Sequence, residues 1–232
     1  MDSDNLSSAL TGAAAVFFDF DGPLCDVFAG YPAVGVAREL AQLATQAEPS
    51  LNGKLSETDD PLEVLRLTHD ANPEVGAEVE RALTAAEVEA VAVAGEPTPG
   101  AIPSLEAVRA SGRKIAVVSN NSAECVRAFL DQHGLTAHVL EVVGRPANRP
   151  NLMKPNPHSL IAAADALEVD VTRCVLIGDS LTDIQAAHAV GCTAIGFANK
   201  PRKRQAFTEA GAEAITESMQ AIVEAIRPQP VS

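Results

Sequence analysis

The feature that most constrains the fold is the stretch 13–24, AAAVFFDFDGPL, in which an apolar run leads directly into two carboxylates. Residues 14–18 are all apolar and include β-branched and aromatic side chains, a pattern typical of a strand buried on both faces of a parallel sheet. Asp19 and Asp21 follow at the carboxyl end of this strand, where open α/β sheets bind ligands. Because residues two apart point the same way and like charges at close range need a cation or a shared proton, the stretch indicates a site for a hard cation.

The DxDG sequence has two other interpretations. A calcium-binding loop needs a glycine at its sixth position and an acid at its twelfth. Counted from Asp19, those positions hold Leu24 and Gly30, which disfavours this kind of loop. A polar turn that merely ends a core strand stays open from this stretch alone.

The bulk composition excludes several classes of protein. Apolar residues make up 47% of the 232 residues, so a disordered chain is excluded, and no apolar run approaches the length of a membrane span. The net charge of −14 argues against a nucleic-acid partner. The N-terminus carries acids where a secretory signal needs bases, and the four cysteines form no CxxC pair. We therefore expect a cytoplasmic protein without nucleic-acid or membrane partners. The sequence does not indicate the oligomeric state, and monomer and homodimer both stay open.

The order of predicted elements favours an α/β fold with a doubly wound, mostly parallel sheet. Strands are predicted at 114–118, 138–143, 174–177, 193–197 and 214–215, each separated from the next by a helix or a loop–helix segment. Between the first strand and 114–118, apolar positions recur at helical spacing over 32–47, 60–71 and 73–94, which predicts a helical insertion. Residues 1–12 are expected to be a loose polar tail.

Polar side chains also follow the later core strands. Ser119 and Asn120 follow 114–118, Lys154 lies in the loop after 138–143, and Asp179 and Asp183 follow 174–177. Taken singly, these residues have ordinary explanations: a helix N-cap, a solvated lysine and acids that complement a helix dipole. Together with the two acids of the first strand, they form the set that phosphoryl transfer requires: an anionic nucleophile, carboxylates for Mg²⁺, and donors for phosphoryl oxygens.

At this point the sequence resembles the haloacid dehalogenase-like superfamily. The superfamily's four motifs correspond to DFDGPL at 19–24, VVSNN at 117–121, KPNP at 154–157 and GDSLTD at 178–183. The resemblance implies a Rossmann-like α/β core at 13–23 and 98–228 and a small all-helical cap at 24–97, as in phosphoglycolate phosphatases. Pro23 departs from the family pattern, which commonly has threonine or valine there.

The resemblance also implies a role for each motif residue. Asp19 would be the nucleophile that forms an aspartyl-phosphate, and Asp21 would act as general acid and then as general base. Mg²⁺ would be bound by Asp19, the backbone carbonyl of Asp21 and Asp179, with Asp183 supporting this metal shell. Ser119 and Lys154 would bind the transferring phosphoryl group, together with Asn120.

These residues predict a magnesium-dependent phosphatase that acts on a small phosphorylated metabolite. Dehalogenases and phosphonoacetaldehyde hydrolases lack an acid at the position of Asp21, which favours protonation of an alkoxide leaving group here. The alternatives are a phosphosugar mutase of the same superfamily and a catalytically silent binding protein on this fold. A signalling receiver domain is disfavoured, since its acid pair is adjacent and its chain is roughly half as long.

Two further expectations concern residues outside the motifs. Residues of the cap would choose the substrate, and the candidates are Tyr31, Arg38, Lys54 and Arg66. The basic cluster Lys200, Arg202, Lys203 and Arg204 is expected on a solvated helix face, with Lys200 near enough to a strand end to approach the site.

Overall fold

Strand β1 (Ala15–Phe18) lies at the centre of a six-stranded sheet in the computed structural model, which describes residues 2–226. The other strands are β2 (Lys114–Val118), β3 (Glu141–Val143), β4 (Cys174–Gly178), β5 (Thr193–Phe197) and β6 (Ala214–Thr216). Every pairing is parallel, and the order across the sheet is β3-β2-β1-β4-β5-β6. Phe18 pairs with Val117 on one side and Ile177 on the other, so the carboxyl ends of β1, β2 and β4 lie at the same edge.

Eleven helices surround or extend this sheet within the described residues: α1 (Asp2–Leu10), α2 (Ala33–Ala47), α3 (Asn52–Leu55), α4 (Pro61–Ala71), α5 (Pro73–Val93), α6 (Ala101–Ala110), α7 (Ala123–Gln132), α8 (His158–Ala166), α9 (Leu181–His188), α10 (Pro201–Glu209) and α11 (Gln220–Ile226). Val16 and Phe18 face a core cluster with α1, α6, α7 and α11, whereas Ala15 and Phe17 face a second cluster with α8, α9 and α10. Both faces of β1 are therefore buried, and the predicted doubly wound α/β fold is confirmed.

The N-terminal segment differs from its prediction. Residues 1–12 were expected to be a loose tail, but Asp2–Leu10 forms helix α1, and Met1 lies outside the described residues. Leu6 and Leu10 are four residues apart, so they share one helix face, and both are buried in the core. The hydroxyl of Ser7 donates to the carbonyl of Ala225 at 3.2 Å. Two leucines at helical spacing are enough to dock an otherwise polar helix.

Strand β3 is shorter than predicted. The expected range was 138–143, but a 3-10 helix occupies Thr136–His138 and the strand begins at Glu141. This strand lies at the edge of the sheet, paired only with β2 among the described strands. Its residues are only partly buried, so fewer apolar contacts hold the chain extended there than in β1 or β4.

The predicted helical insertion forms helices α2 to α5. Helices α2, α4 and the first half of α5 enclose an apolar cluster of their own, which includes Leu40, Leu65 and Leu83. The second half of α5 packs instead into the main core through Ala90 and Val91. We keep the division into cap (24–97) and core (13–23 and 98–228) as a proposal, with residues 227 and 228 outside the described part.

The two chain connections of the cap lie side by side. The backbone N–H of Thr98 donates to the carbonyl of Leu24 at 3.0 Å, and the Thr98 hydroxyl donates to the carbonyl of Gly22 at 2.7 Å. Both connections thus return to the carboxyl edge of β1, which places the cap helices above this edge. No helix within residues 2–226 has the combined length and hydropathy needed to cross a bilayer.

Candidate active site

The carboxyl edge of the sheet opens into a cavity of about 910 Å³ between the core and the cap. Asp19 extends β1, with its N–H donating to the carbonyl of Ile177, and Ser119 extends β2, with its N–H donating to the carbonyl of Val143. Six of the seven predicted site residues line this cavity, namely Asp19, Asp21, Ser119, Asn120, Lys154 and Asp179. The seventh, Asp183, is fully buried beside it.

Three of these carboxylates form a compact cluster. Asp19, Asp179 and Asp183 each offer an oxygen that lies within 4.8 Å of the others. An oxygen-only donor set of this kind suits a hard divalent cation such as Mg²⁺. The side chain of Asp21 is not part of this cluster, so the spacing argument that Asp19 and Asp21 share one cation site through their carboxylates does not hold here. The family resemblance implied a contribution from the Asp21 backbone carbonyl instead.

Two glycines make room for the cluster. Gly22 has a φ of +97°, and a Cβ atom at this position would lie 2.5 Å from Cγ of Asp179. A Cβ atom at Gly178 would lie 2.4 Å from both Cβ and Cγ of Asp183. Any larger residue at either position would displace a carboxylate, so the glycines of the first and fourth motifs serve the acid cluster.

Lys154 supplies the positive charge closest to the nucleophile candidate. Its ammonium lies 2.8 Å from Oδ1 of Asp19 and 2.5 Å from Oδ1 of Asp183, and it donates to the carbonyl of Val118. Burial, reinforced by Asp183, raises the pKa of Asp19 well above its usual value, although Lys154 opposes this. Burial lowers the pKa of Lys154, but Asp183 and Asp19 outweigh it and the net shift is upward. The two carboxylates therefore favour the charged form of Lys154.

Asn120 and Asn121, in the loop after β2, fix Lys154 and Ser119 through hydrogen bonds. The side-chain amide of Asn120 pairs with the backbone of Lys154: Oδ1 accepts from its N–H at 2.8 Å, and Nδ2 donates to its carbonyl at 3.1 Å. The Ser119 hydroxyl donates to Oδ1 of Asn121 at 3.2 Å and accepts from the Asn121 N–H at 3.1 Å. The side chain of Asn120, expected to bind substrate, is thus used to orient Lys154.

Asp21 and Asp183 are held by different local bonds. Oδ1 of Asp21 accepts from the N–H of Val27 at 3.0 Å, and burial raises the pKa of Asp21 to about 6 although this N–H opposes the shift. A carboxyl with such a pKa can carry or release a proton near neutral pH. Oδ2 of Asp183 accepts from the N–H of Ser180 in a capping box at the start of α9. Oδ2 of Asp183 therefore caps the helix, as one of the ordinary explanations proposed, whereas Oδ1 pairs with the Lys154 ammonium.

The basic cluster after β5 was expected on a solvated helix face, but part of it contacts the acid cluster. The ammonium of Lys203 lies 2.5 Å from Oδ2 of Asp179, and Nδ2 of Asn199 donates to the same oxygen at 2.9 Å. Lys200 and Arg202 line the cavity. Lys200 was expected to approach the site from its strand end, whereas Asn199 and Lys203 were missed. The position of Asn199 directly after β5 was a signal for it, because the other site residues follow β1, β2 and β4 in the same way.

The cap contributes both apolar and acidic side chains to the cavity. Within the described residues, those lining it from the cap segment are Phe28, Ala33, Val34, Asp59, Asp60, Pro61, Leu62, Leu83 and Glu87. The four predicted specificity candidates, Tyr31, Arg38, Lys54 and Arg66, are not among them. The part of the cap that lines the cavity carries apolar groups and acids instead.

Comparison with known proteins agrees with this geometry. The family model for haloacid dehalogenase-like hydrolases matches residues 13–191. A phosphoglycolate phosphatase of Neisseria meningitidis serogroup A is 29% identical over 199 residues, covering 82% of this chain and 83% of that protein. A second phosphoglycolate phosphatase, from Rhodospirillum rubrum, is 33% identical over 107 residues, 44% of each chain.

Solved structures share the fold. A predicted phosphoglycolate phosphatase from Haemophilus somnus superposes with a TM-score of 0.66 at 18% identity, covering 94% of this chain and 99% of that one. A β-phosphoglucomutase from Clostridium difficile superposes with a TM-score of 0.64 at 18% identity, covering 92% and 97%. At this level of identity, the match extends to the arrangement of core and cap and no further.

Proposed function

The chain belongs to the haloacid dehalogenase-like hydrolase family, and from this membership we propose that it is a phosphatase acting on phosphomonoesters of small metabolites. The observation that carries the proposal is the position of Asp19. Its carboxylate lies at the floor of the cavity, within 2.8 Å of the Lys154 ammonium and next to the carboxylates of Asp179 and Asp183. A nucleophile, a fixed cation and a metal-binding acid cluster thus meet at one point.

In the first half of the reaction, a carboxylate oxygen of Asp19 attacks phosphorus. The bond from phosphorus to the ester oxygen breaks, and the leaving alkoxide takes the proton that Asp21 carries. The products of this step are an alcohol and an aspartyl-phosphate at Asp19. In the second half, the Asp21 carboxylate removes a proton from water, whose oxygen attacks phosphorus, and inorganic phosphate leaves as Asp19 is regenerated.

We propose that Asp19, Asp179, Asp183 and the backbone carbonyl of Asp21 hold Mg²⁺, because their oxygen donors fit a hard cation. When bound, such a cation stabilises the negative charge on the transferring phosphoryl oxygens. We assign phosphoryl binding to the Ser119 hydroxyl and the Lys154 ammonium. Asn120 keeps Lys154 in place through its two hydrogen bonds.

For the substrate, we propose a short phosphate ester with a second anionic group, such as phosphoglycolate. Curated relatives are named phosphoglycolate phosphatases. Lys200 and Arg202 line the cavity and provide positive charge beyond that of Lys154.

The four cysteines are free and buried, which supports the cytoplasmic location expected from the sequence. A monomer or homodimer stays a prediction.

The test is a hydrolysis screen of the purified protein over metabolite phosphates and an aryl phosphate. We expect release of inorganic phosphate with millimolar Mg²⁺ and little release with excess chelator. Equal rates in the two conditions would exclude the proposed mechanism. Product analysis with a hexose phosphate separates hydrolysis from phosphoryl transfer to another sugar hydroxyl, which a mutase would show.

A further inference from the structure

A buried ion pair joins the cap helix α5 to the loop after β3. Nη1 of Arg145 lies 2.9 Å from Oε1 of Glu87, and Nη2 donates to Oε2 of Glu87 at 3.3 Å, so both oxygens of the carboxylate are engaged. The two side chains are 1% and 0% exposed. A charged pair at this depth needs further partners to offset its loss of hydration.

On the arginine side, those partners come from one face of α5 and from the core. Glu80, Thr84 and Glu87 are spaced so that they share this face. Nε of Arg145 lies 3.3 Å from Oε1 of Glu80, and Nη2 donates to the Thr84 hydroxyl at 3.1 Å. Nη1 also donates to the backbone carbonyl of Asn120 at 3.0 Å. Arg145 therefore links α5 to the loop that follows β2.

On the glutamate side, the partners are in that same loop. Oε2 of Glu87 accepts from the N–H of Ser122 at 2.9 Å, and Oε1 accepts from Nδ2 of Asn121 at 3.2 Å. Oδ1 of Asn121 in turn accepts from the Ser119 hydroxyl. An unbroken chain of hydrogen bonds therefore runs from Glu87 to the hydroxyl assigned to phosphoryl binding.

We propose that Glu87 and Arg145 are positioning residues, which fix the loop 119–122 in the conformation that binds the phosphoryl group. The Glu87 carboxylate orients the Asn121 amide, which holds the Ser119 side chain in place until its hydroxyl proton turns from Asn121 to the phosphoryl group. Arg145 fixes the carbonyl of Asn120, whose side chain orients Lys154. The inference rests on the proposed function, because it takes Ser119 and Lys154 to be phosphoryl ligands.

Through this pair, the cap segment contacts the loop that binds the phosphoryl group. This contact does not involve the leaving group of the substrate. Glu87 lies on the cap segment and lines the cavity, but its carboxylate hydrogen-bonds to Arg145 and to the loop 119–122. A change at Glu87 should therefore weaken the binding of inorganic phosphate and of an aryl phosphate, neither of which needs cap contacts for recognition. A residue that only selects the leaving group would leave phosphate binding unchanged.

The experiment compares Glu87→Gln with Glu80→Gln, a matched change at the same arginine that does not touch the loop 119–122. For each variant, the inhibition constant of inorganic phosphate and the KM and kcat for an aryl phosphate are measured at saturating Mg²⁺, below the unfolding temperature. We expect the phosphate inhibition constant and KM to rise about tenfold or more in Glu87→Gln, and to stay within about twofold of wild type in Glu80→Gln. Equal constants in the two variants would overturn the proposal.

A second variant covers the case in which Glu87→Gln does not fold. The double change Glu87→Leu with Arg145→Met replaces the ion pair by apolar groups, which folded proteins often tolerate. The Ser122 N–H and the Asn121 amide then lose their acceptor, so phosphate inhibition should still weaken by about tenfold. A folded double variant with the wild-type constant contradicts positioning by the pair. Absence of hydrolysis in wild type and Glu80→Gln would instead contradict the proposed function.

Discussion

The ammonium of Lys203 lies 2.5 Å from Oδ2 of Asp179, one of the three carboxylates in the acid cluster. Lys203 is on helix α10, which follows β5, and Asp179 directly follows β4, so this ion pair joins the carboxyl ends of two neighbouring strands. It places a positive charge beside the candidate metal site. A bound cation and the Lys203 ammonium would repel each other while competing for the same carboxylate.

The first prediction follows from this competition. We expect Lys203→Met to bind Mg²⁺ more tightly than wild type, by about threefold to tenfold, because a like charge beside the acid cluster is removed. Calorimetric titration of the metal into metal-free protein measures the change. Arg204→Met is the control, because it removes an equal charge from the same helix at a side chain that pairs with Glu217. Equal affinities for wild type and Lys203→Met would show that the ion pair does not oppose the metal.

The second prediction separates Asp19 from Asp21. Asp19→Asn should form no aspartyl-phosphate and lose activity by at least about a thousandfold, because the attacking oxygen is gone. Asp21→Asn keeps the nucleophile but can neither protonate the leaving alkoxide nor activate water. It should still accumulate phosphoenzyme from an aryl phosphate, whose leaving group needs little protonation. Mass spectrometry after rapid quenching detects the adduct, and a phosphorylated Asp19→Asn protein would show that the roles are misassigned.

The third prediction concerns the charge of the substrate. Arg202 and Asp59 both line the cavity and carry opposite charges. Arg202→Met should lower kcat/KM for phosphoglycolate by about threefold to thirtyfold relative to an aryl phosphate, since a favourable charge contact is lost. Asp59→Asn should raise the same ratio. If neither change alters the ratio of the two kcat/KM values, then the second anionic group of the substrate does not lie near these side chains.

The fourth prediction concerns the cysteines. All four are buried and free, and burial raises the pKa of each thiol, to about 11 for Cys174. The thiolate is the reactive form, so a chromogenic aromatic disulfide at pH 8 should react slowly with the native protein. After unfolding, the same reagent should label all four thiols rapidly. The native rate should keep rising up to pH 10, because the thiols are not yet ionised. A thiol that reacts within seconds in the native state would contradict this.

Much of the fold was predictable because β1 is so strongly specified. Its four residues are apolar and are buried against different clusters on alternate sides, as the continuous run predicts. Parallel strands bring their carboxyl ends to one edge, so Asp19, Ser119 and Asp179 meet without any knowledge of side-chain contacts. The order of strands and polar residues along the chain was sufficient for this part of the cavity.

Other features were not predictable, because they depend on which helix faces meet. Helix α1 docks through two leucines in a segment whose composition is polar. Lys203 reaches Asp179 only because α10 begins just after β5, beside β4 in the sheet. The pairing of Glu87 with Arg145 joins residues 58 positions apart through the packing of α5 on the core. The i, i+4 spacing of Leu6 and Leu10 is the one local pattern among these three contacts, and the other two have none.

Helix α5 has a practical consequence for exchanging caps between members of the family. Its first half is packed within the cap cluster and its second half within the main core. A chimera joined at 24 and 97 would therefore bring foreign side chains into the core at Ala90 and Val91, and would replace Glu87 opposite a native Arg145. A junction inside α5, between Leu83 and Glu87, would keep the second half of the helix together with the core against which it packs. Portable cap modules in this fold should accordingly be cut through the middle of a continuous helix rather than at its flanking loops.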